Sequence, residues 1–231
     1  KVKKTVSKIA SMKNIKTVMS LTDNYMNSIA RINAFNDGSQ STEKLQEKIF
    51  AAANRSRGRY MEMTEHVATL GLAAPNVFSS NDEMIAFAEL SQKAFRLGGA
   101  AAAEQKTGMS QLIQSMAAGG LQGSDLNSIV KTAPMLVQIL EKYTGSSIGQ
   151  LIESSPDGTI GADVIKGAIF AAADEINAKF AELPMTFNDI STQIRESALQ
   201  NFGPVLQQLS SLLSNPGVAL IMQEIGNAFA V

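Results

Sequence analysis

Apolar residues recur at helical spacing along almost the whole chain, and glycine or proline interrupts them every few turns. The clearest run is "ADVIKGAIFAAADEINAKFAE", where Ile165, Ile169, Ile176 and Phe180 share one face. It predicts one helix from Ala162 to Glu182, stopped by Pro184. Proline lacks the backbone donor, and glycine suits helix ends, so breaks are predicted at Gly38, Gly119–Gly120, Pro134, Pro156, Pro184 and Pro216. A single rod of 231 residues would span about 350 Å at 1.5 Å per residue. The breaks argue for a folded bundle instead. No alternating apolar–polar run of useful length suggests a strand. The predicted fold class is therefore all-α: a multi-helix globular bundle of short helices punctuated by glycine and proline, with no significant sheet.

Capping signals place the individual helices. One is predicted from Thr22 to Phe35, with Gly38 behind it. Ser41 or Thr42 caps the next, and Gly58 marks its end. "RYMEMTEHVATLGL" is another. Ser80 and Glu83 are spaced as a capping box for a helix running to Leu97. A helix over 103–118 ends at Gly119–Gly120, and Ser124 is the predicted N-cap of its successor. Pro134 starts or kinks a helix. Ser147 with Gln150, and Thr186 with Asp189, repeat the capping-box spacing. The last stripe is Ile190, Ile194, Ala198, Phe202, Leu206, Leu209 and Leu213, with Pro204 as a kink or restart point. The predicted core contains Ile49, Phe50, Val67, Leu70, Phe87, Leu112, Ile113, Leu136, Ile139, Ile165, Ile169, Phe170, Phe180 and Ile194. "IFAAAN" at Ile49 and "IFAAAD" at Ile169 echo each other; a duplicated unit and simple convergence of alanine-rich helices both fit.

Composition narrows the chemistry. Hydrophobic residues make up 45% of the chain, enough for a substantial core, and the formal net charge of −1 gives no global field toward nucleic acid or acidic lipid. With no cysteine there is no disulfide, thiolate nucleophile or thiolate metal site in this stretch. The longest apolar run, Gly217 to Val231, is interrupted by Gln223 and Glu224 and falls short of a membrane span.

The glycine cluster in "QSMAAGGLQGSDL" is no phosphate loop. Such a loop needs a strand before it and a lysine close behind it, whereas a helix precedes Gly119, Gly120 and Gly123 and the next lysine is Lys131. A joint between helices is the reading. His66 is the only histidine and lacks a second histidine at metal-binding spacing; Glu62, one turn away, is placed to pair with it on an exposed face. Asp82–Glu83, Asp174–Glu175 and Glu62–Glu65 read as helix-start or solvated residues. "NRSRGRY" sets Arg55, Arg57 and Arg59 beside Tyr60; a basic helix end favourable to the dipole is preferred over a phosphate contact. Lys1, Lys3, Lys4, Lys8, Lys13 and Lys16 precede the first acid, Asp23. They suit the end of a longer upstream helix better than a membrane-surface helix, which would carry aromatic anchors. Neither a catalytic, cofactor-binding or metal site nor a cofactor is predicted.

Five stretches in order carry a resemblance: "ARINAFNDGSQSTEKLQEKIFAAANRSRGRY", "VFSSNDEMIAFAEL", "MAAGGLQGSDLNSIVKTAPML", "DGTIGADVIKGAIFAAADEINAKFAELPMTF" and "ALQNFGPVLQ". Together, from about Asp23 to Gln207, they resemble the N-terminal domain of tail tape measure proteins of long-tailed bacteriophages and prophages. Each motif alone is a helix joint. Gly161 stands where the family usually has a capping Thr or Ser, and "GGAAAAEQ" is richer in alanine than usual. The lysine-rich start lies outside the resemblance.

The resemblance implies a non-enzymatic virion structural protein. Its parent chain sets tail length and takes part in tail assembly and DNA ejection. Implied partners are the tail tube protein, tail assembly chaperones and tail-tip or baseplate proteins, with a homo-oligomer in the full-length protein, no sequence-specific nucleic acid and transient membrane contact. The implied location is the virion tail, assembled in the host cytoplasm. The expected organisation is a basic helix over 1–22 ending an upstream helical region, the tape-measure-type domain over 23–214, and the start of a downstream helical region over 215–231. The chain opens on Lys1 and closes on "AFAV", so it is expected to be an excerpt of a longer polypeptide. A membrane-perturbing or cell-wall-acting helical domain is the alternative.

Overall fold

The structure is a computed structural model, described here for residues 12–99, 101–154 and 159–213. Its helices are α1 (Met12–Phe35), α2 (Thr42–Arg55), α3 (Tyr60–Ala73), α4 (Asn81–Leu97), α5 (Ala102–Ala117), α6 (Gly123–Thr132), α7 (Pro134–Thr144), α8 (Ile148–Ser154), α9 (Ala162–Ala171), α10 (Ala173–Glu182) and α11 (Phe187–Leu213). The protein is an all-α bundle with one very small sheet among the described residues. Two compact units appear: Lys1–Ala30 with Ser197–Val231, and Arg31–Glu196.

In the larger unit α4 is the central helix. It packs against α2, α3, α5, α7, α9 and α10. Phe87, Ala88, Ala94 and Phe95 on it are buried, and so are Glu89 and Lys93. Aromatic pairs tie the layers together: Phe50 stacks on Tyr60 at 3.7 Å, and Phe87 meets Phe78 at 5.2 Å and Phe170 at 6.4 Å. The predicted core is buried except at two positions. Phe170 is half-buried, and Ile194 is 66% exposed. In the smaller unit Thr22, Tyr25, Ser28, Leu199 and Leu206 are buried, and α11 continues through Pro204 without a break.

Local signals explain most helix starts. Ser41 Oγ accepts the Lys44 N–H at 3.2 Å. Ser147 Oγ accepts from Gln150 N–H at 3.3 Å while Gln150 Oε1 accepts the Ser147 N–H at 3.0 Å, a complete capping box. Thr186 and Asp189 form the same reciprocal pair at 3.1 and 3.0 Å. The box at Ser80 is shifted: Ser80 Oγ accepts the Glu83 N–H at 3.1 Å, but Glu83 reaches back to the N–H of Ser79. Pro134 is the first residue of α7, where its missing donor costs nothing.

Four expectations change, besides the helix start predicted at Thr22, which lies inside the continuous α1. The run Ala162–Glu182 is two helices, α9 and α10, parted at Ala172 (φ −94°, ψ 6°). Its apolar stripe passes straight through that break, and no glycine or proline marks it. The "IFAAAN" echo therefore lies inside α2, while "IFAAAD" straddles the α9–α10 break. Helix α6 begins at Gly123 behind Gln122, so Ser124 is inside the helix. The glycine joint is part of a two-residue antiparallel bridge: β1 (Gly120–Leu121) pairs with β2 (Ile160–Gly161), Gly120 opposite Gly161. Strands this short carry no readable alternation. Gly119 has φ +96°, and its carbonyl accepts the Ala162 N–H at 2.9 Å, capping α9. A Cβ on Gly120 would run into the Ile160 carbonyl. The joint is thus a backbone contact only glycine admits. The fourth change is the orientation of α11, taken up below. Expectations for residues 1–11, for the break at Pro156 and for residues 214–231 lie outside the described residues.

Candidate functional site

The corner between α2 and α3 is built by the "NRSRGRY" stretch. Helix α2 closes in a Schellman turn: the Gly58 N–H reaches Ala53 O at 2.8 Å and the Arg57 N–H reaches Asn54 O at 3.1 Å. Glycine usually fills the left-handed position of this turn, but here Arg57 does, with φ +56°. Gly58 has a different task, since a Cβ there would meet the Gln92 amide. The strain at Arg57, roughly 1–2 kcal/mol, is offset by what its side chain does. The guanidinium donates to Leu183 O at 2.7 Å, Pro184 O at 3.1 Å and Phe180 O at 3.4 Å. It also lies 4.7 Å from the Phe180 ring centroid. Arg57 therefore satisfies the carbonyls at the C-terminus of α10. Arg55 does lie in the last turn of α2, as the dipole reading has it, while Arg57 serves a different helix.

The neighbouring arginines diverge. Arg55 ends α2 and forks onto Glu89, at 3.0 Å from Nε and 2.6 Å from Nη2. Glu89 also accepts from Lys93 at 2.7 Å, and Lys93 reaches Asn177 at 2.7 Å. Arg59 is exposed and makes no side-chain cap at the start of α3. That cap comes from Glu196, whose carboxylate accepts the Tyr60 N–H at 3.0 Å.

Asp189 holds the other side of the corner. It lies 2.7 Å from Arg96 and 3.9 Å from Arg57. Burial works against its ionisation, but the Thr186 N–H and the Arg96 guanidinium more than offset that and hold the carboxyl below its ordinary value. Glu196 behaves in the opposite way. Burial raises it, and the Tyr60 N–H and Arg59 recover only part. Asp189, Thr192 and Glu196 are all buried, while Phe187, Ile190 and Ile194 on the opposite face are 93%, 44% and 66% exposed. This reverses the stripe predicted for α11 at Ile190 and Ile194, while Leu206, farther along the same stripe, is buried. Beyond the cap at Asp189, these residues went unrecognised in the sequence; the signal that could have found them is a polar stripe at i, i+3 and i+7, as regular as the apolar one.

Between α3, α4, α5 and the start of α11 lies a cleft of about 280 Å³, lined by Arg57, Arg59, Glu62, His66, Gln92, Phe95, Arg96, Lys106, Met109, Asn188 and Thr192 among others. His66 is mostly buried, not on an exposed face, and its Nδ1 has no hydrogen-bond partner among the described residues. Burial lowers its pKa to about 4, with Glu65 and Lys106 acting in opposite senses, so the ring is neutral at pH 7. Glu62 is not its partner; it comes within 4.0 Å of Lys106. The carboxylate pairs are helix-start groups: Asp82 pairs with Lys48 at 2.6 Å, and Glu175 with Lys142 at 2.7 Å and Lys179 at 2.9 Å. Among the described residues no cluster of three or more His, Asp and Glu could hold a metal ion, and no helix is long and apolar enough to cross a membrane.

Comparison with protein families gives a match to the family described as "Tape measure protein" over residues 16–207. The chain belongs to the tape measure protein family. It is therefore a structural component of a phage tail. The match contains the entire Arg31–Glu196 unit of this tape measure domain, with its arginine corner, cleft and glycine bridge. No curated protein matches the chain, and no solved structure does.

Proposed function

We propose that this region is a folded module of a tape measure protein, attached to the helical ruler that sets tail length but not itself part of the ruled distance. Its role is structural rather than catalytic. It takes part in tail assembly in the host cytoplasm and in DNA delivery, through contacts with the tail tube protein, tail assembly chaperones and tail-tip or baseplate proteins. The full-length protein self-associates; no sequence-specific nucleic acid is involved, and membrane contact is transient.

One observation supports this reading above the others: the helices fold back on one another. Helix α11, with 27 residues, spans only about 40 Å, while α4 is enclosed by six other helices. A ruler must convert residues into length, and a bundle does not. The test is an in-frame deletion of α6 to α8 (residues 123–154) in the encoding phage, with tails measured by electron microscopy. As ruler, this segment would contribute about 48 Å of length. The expected result is few assembled tails, of unaltered length. Tails formed in normal yield and shortened by that amount would refute the proposal.

A further inference from the structure

We infer that the cleft beside the α2–α3 corner receives one carboxylate, presented by an acidic side chain of a partner polypeptide. Four cations surround the cleft, Arg57, Arg59, Arg96 and Lys106. Behind the lining, Asp189 neutralises Arg96 at 2.7 Å and stands 3.9 Å from Arg57. At the mouth, Glu62 reaches Lys106 only at 4.0 Å, with the Lys106 side chain 66% exposed. Glu196 is engaged by the Tyr60 N–H. The Arg59 side chain is exposed, makes no cap at the start of α3, and acts on Glu196 only through its charge. Four positive groups against Glu62, Asp189 and Glu196 leave an excess of one charge, which a single monoanion cancels.

Size and lining select among anions. A cleft of about 280 Å³ is at the lower edge of small-molecule pockets and suits one side chain rather than a cofactor. Phe95 and Met109 line it beside the cations. Those apolar walls match the methylene stem of Glu or Asp and have nothing to offer inorganic phosphate. A dianion would also over-neutralise the cleft and face Glu62. Nucleic acid and lipid surfaces present rows of phosphates, whereas these cations converge on one pit instead of tracking along a face. The planar guanidinium of Arg59 can take a carboxylate through two parallel N–H donors.

His66 provides the readout. It is the only histidine of the chain, it lines the cleft, and its ring gives a single set of carbon-bound proton signals. The experiment titrates the 231-residue chain at pH 7 with three probes: acetyl-Ala-Glu-Ala-amide, the same peptide with Gln for Glu, and inorganic phosphate. The ring of His66 and the backbone amides of Arg59 and Lys106 are followed by NMR. The Glu peptide is expected to give saturable shifts confined to the cleft, with the Gln peptide at least fivefold weaker. The Arg59→Gln/Lys106→Gln double variant changes two exposed side chains; it should keep its amide spectrum elsewhere and lose binding at least tenfold. An equal response to the Gln peptide, or an unaltered response in the double variant, overturns the inference. Phosphate saturating at lower concentration than the Glu peptide also overturns it, making the cleft a phosphate site.

Discussion

Helix α4 and the first turns of α11 both carry charge into the Arg31–Glu196 unit, by different routes. Helix α4 is surrounded and buries its apolar residues Phe87, Ala88, Ala94 and Phe95, with Glu89 and Lys93 tucked in as a pair 2.7 Å apart. The first turns of α11 bury Asp189, Thr192 and Glu196 and leave Phe187, Ile190 and Ile194 in solvent. Magnitudes explain why the second arrangement stands. Ile190 and Ile194 are only partly exposed, so the three together forfeit the burial of about two side chains, roughly 4 kcal/mol at about 2 kcal/mol for each fully buried one. Turning the helix over would strip Arg57 and Arg96 of their carboxylate, a cost of roughly 3–5 kcal/mol for a broken buried pair. It would also remove the Glu196 cap of α3, worth about 1 kcal/mol. The apolar period identifies a helix, but the charges waiting on its neighbours choose the face.

The contrast can be broken at its strongest point first. Phe87 on α4 is fully buried, so Phe87→Ala should destabilise by roughly 3–5 kcal/mol in urea unfolding. Asp189→Ala comes next. It leaves two arginines facing an apolar methyl, and about 3 kcal/mol should be lost; a loss below about 0.5 kcal/mol would mean that the arginines reach water unaided.

His66 sharpens the comparison because it is a mostly buried polar group whose burial outweighs the nearby charge of Glu65. Its pKa falls from 6.5 to about 4 on folding. Below 6.5 the unfolded chain takes up the proton first, so the stability present above that pH drains away as pH falls toward 4. Between pH 7 and pH 5 the loss should be about 2 kcal/mol, and His66→Gln should remove it. The raised Glu196 acts with opposite sign, losing stability as pH rises above its ordinary value; it is common to both proteins and cancels in the difference. The smallest effect belongs to the exposed stripe. Phe187→Ala and Ile194→Ala should each change stability by less than about 0.5 kcal/mol. A cost of about 2 kcal/mol at Ile194 would show that the stripe is buried and that the two helices are alike after all.

Much of this molecule was legible in its residues because the relevant forces are local. Ser41, Ser147, Thr186 and Pro134 act on backbone groups within a turn of themselves, and each does what its position implies. The core of α2, α3 and α5 followed from spacing, as at Ile49, Val67 and Leu112. The candidate site was far less legible. "NRSRGRY" shows three arginines, but nothing in it says that Arg57 takes the left-handed position while Gly58 makes room for Gln92. Ile194 failed as a core residue for the same reason that Asp189 was overlooked beyond its cap: the face was chosen by arginines far away in sequence.

By itself, then, the sequence determined helix content, most boundaries, the absence of a large sheet and the tape measure family, all of which depend on neighbours within a few residues or on motif order. Tertiary structure alone decided the inward face of α11, the break at Ala172, the Gly120–Gly161 bridge and the clamp of Arg57 on α10. The physical reason is distance along the chain. Arg57 and Leu183 are 126 positions apart, and no periodicity reports a hydrogen bond that exists only once the helices between them have packed.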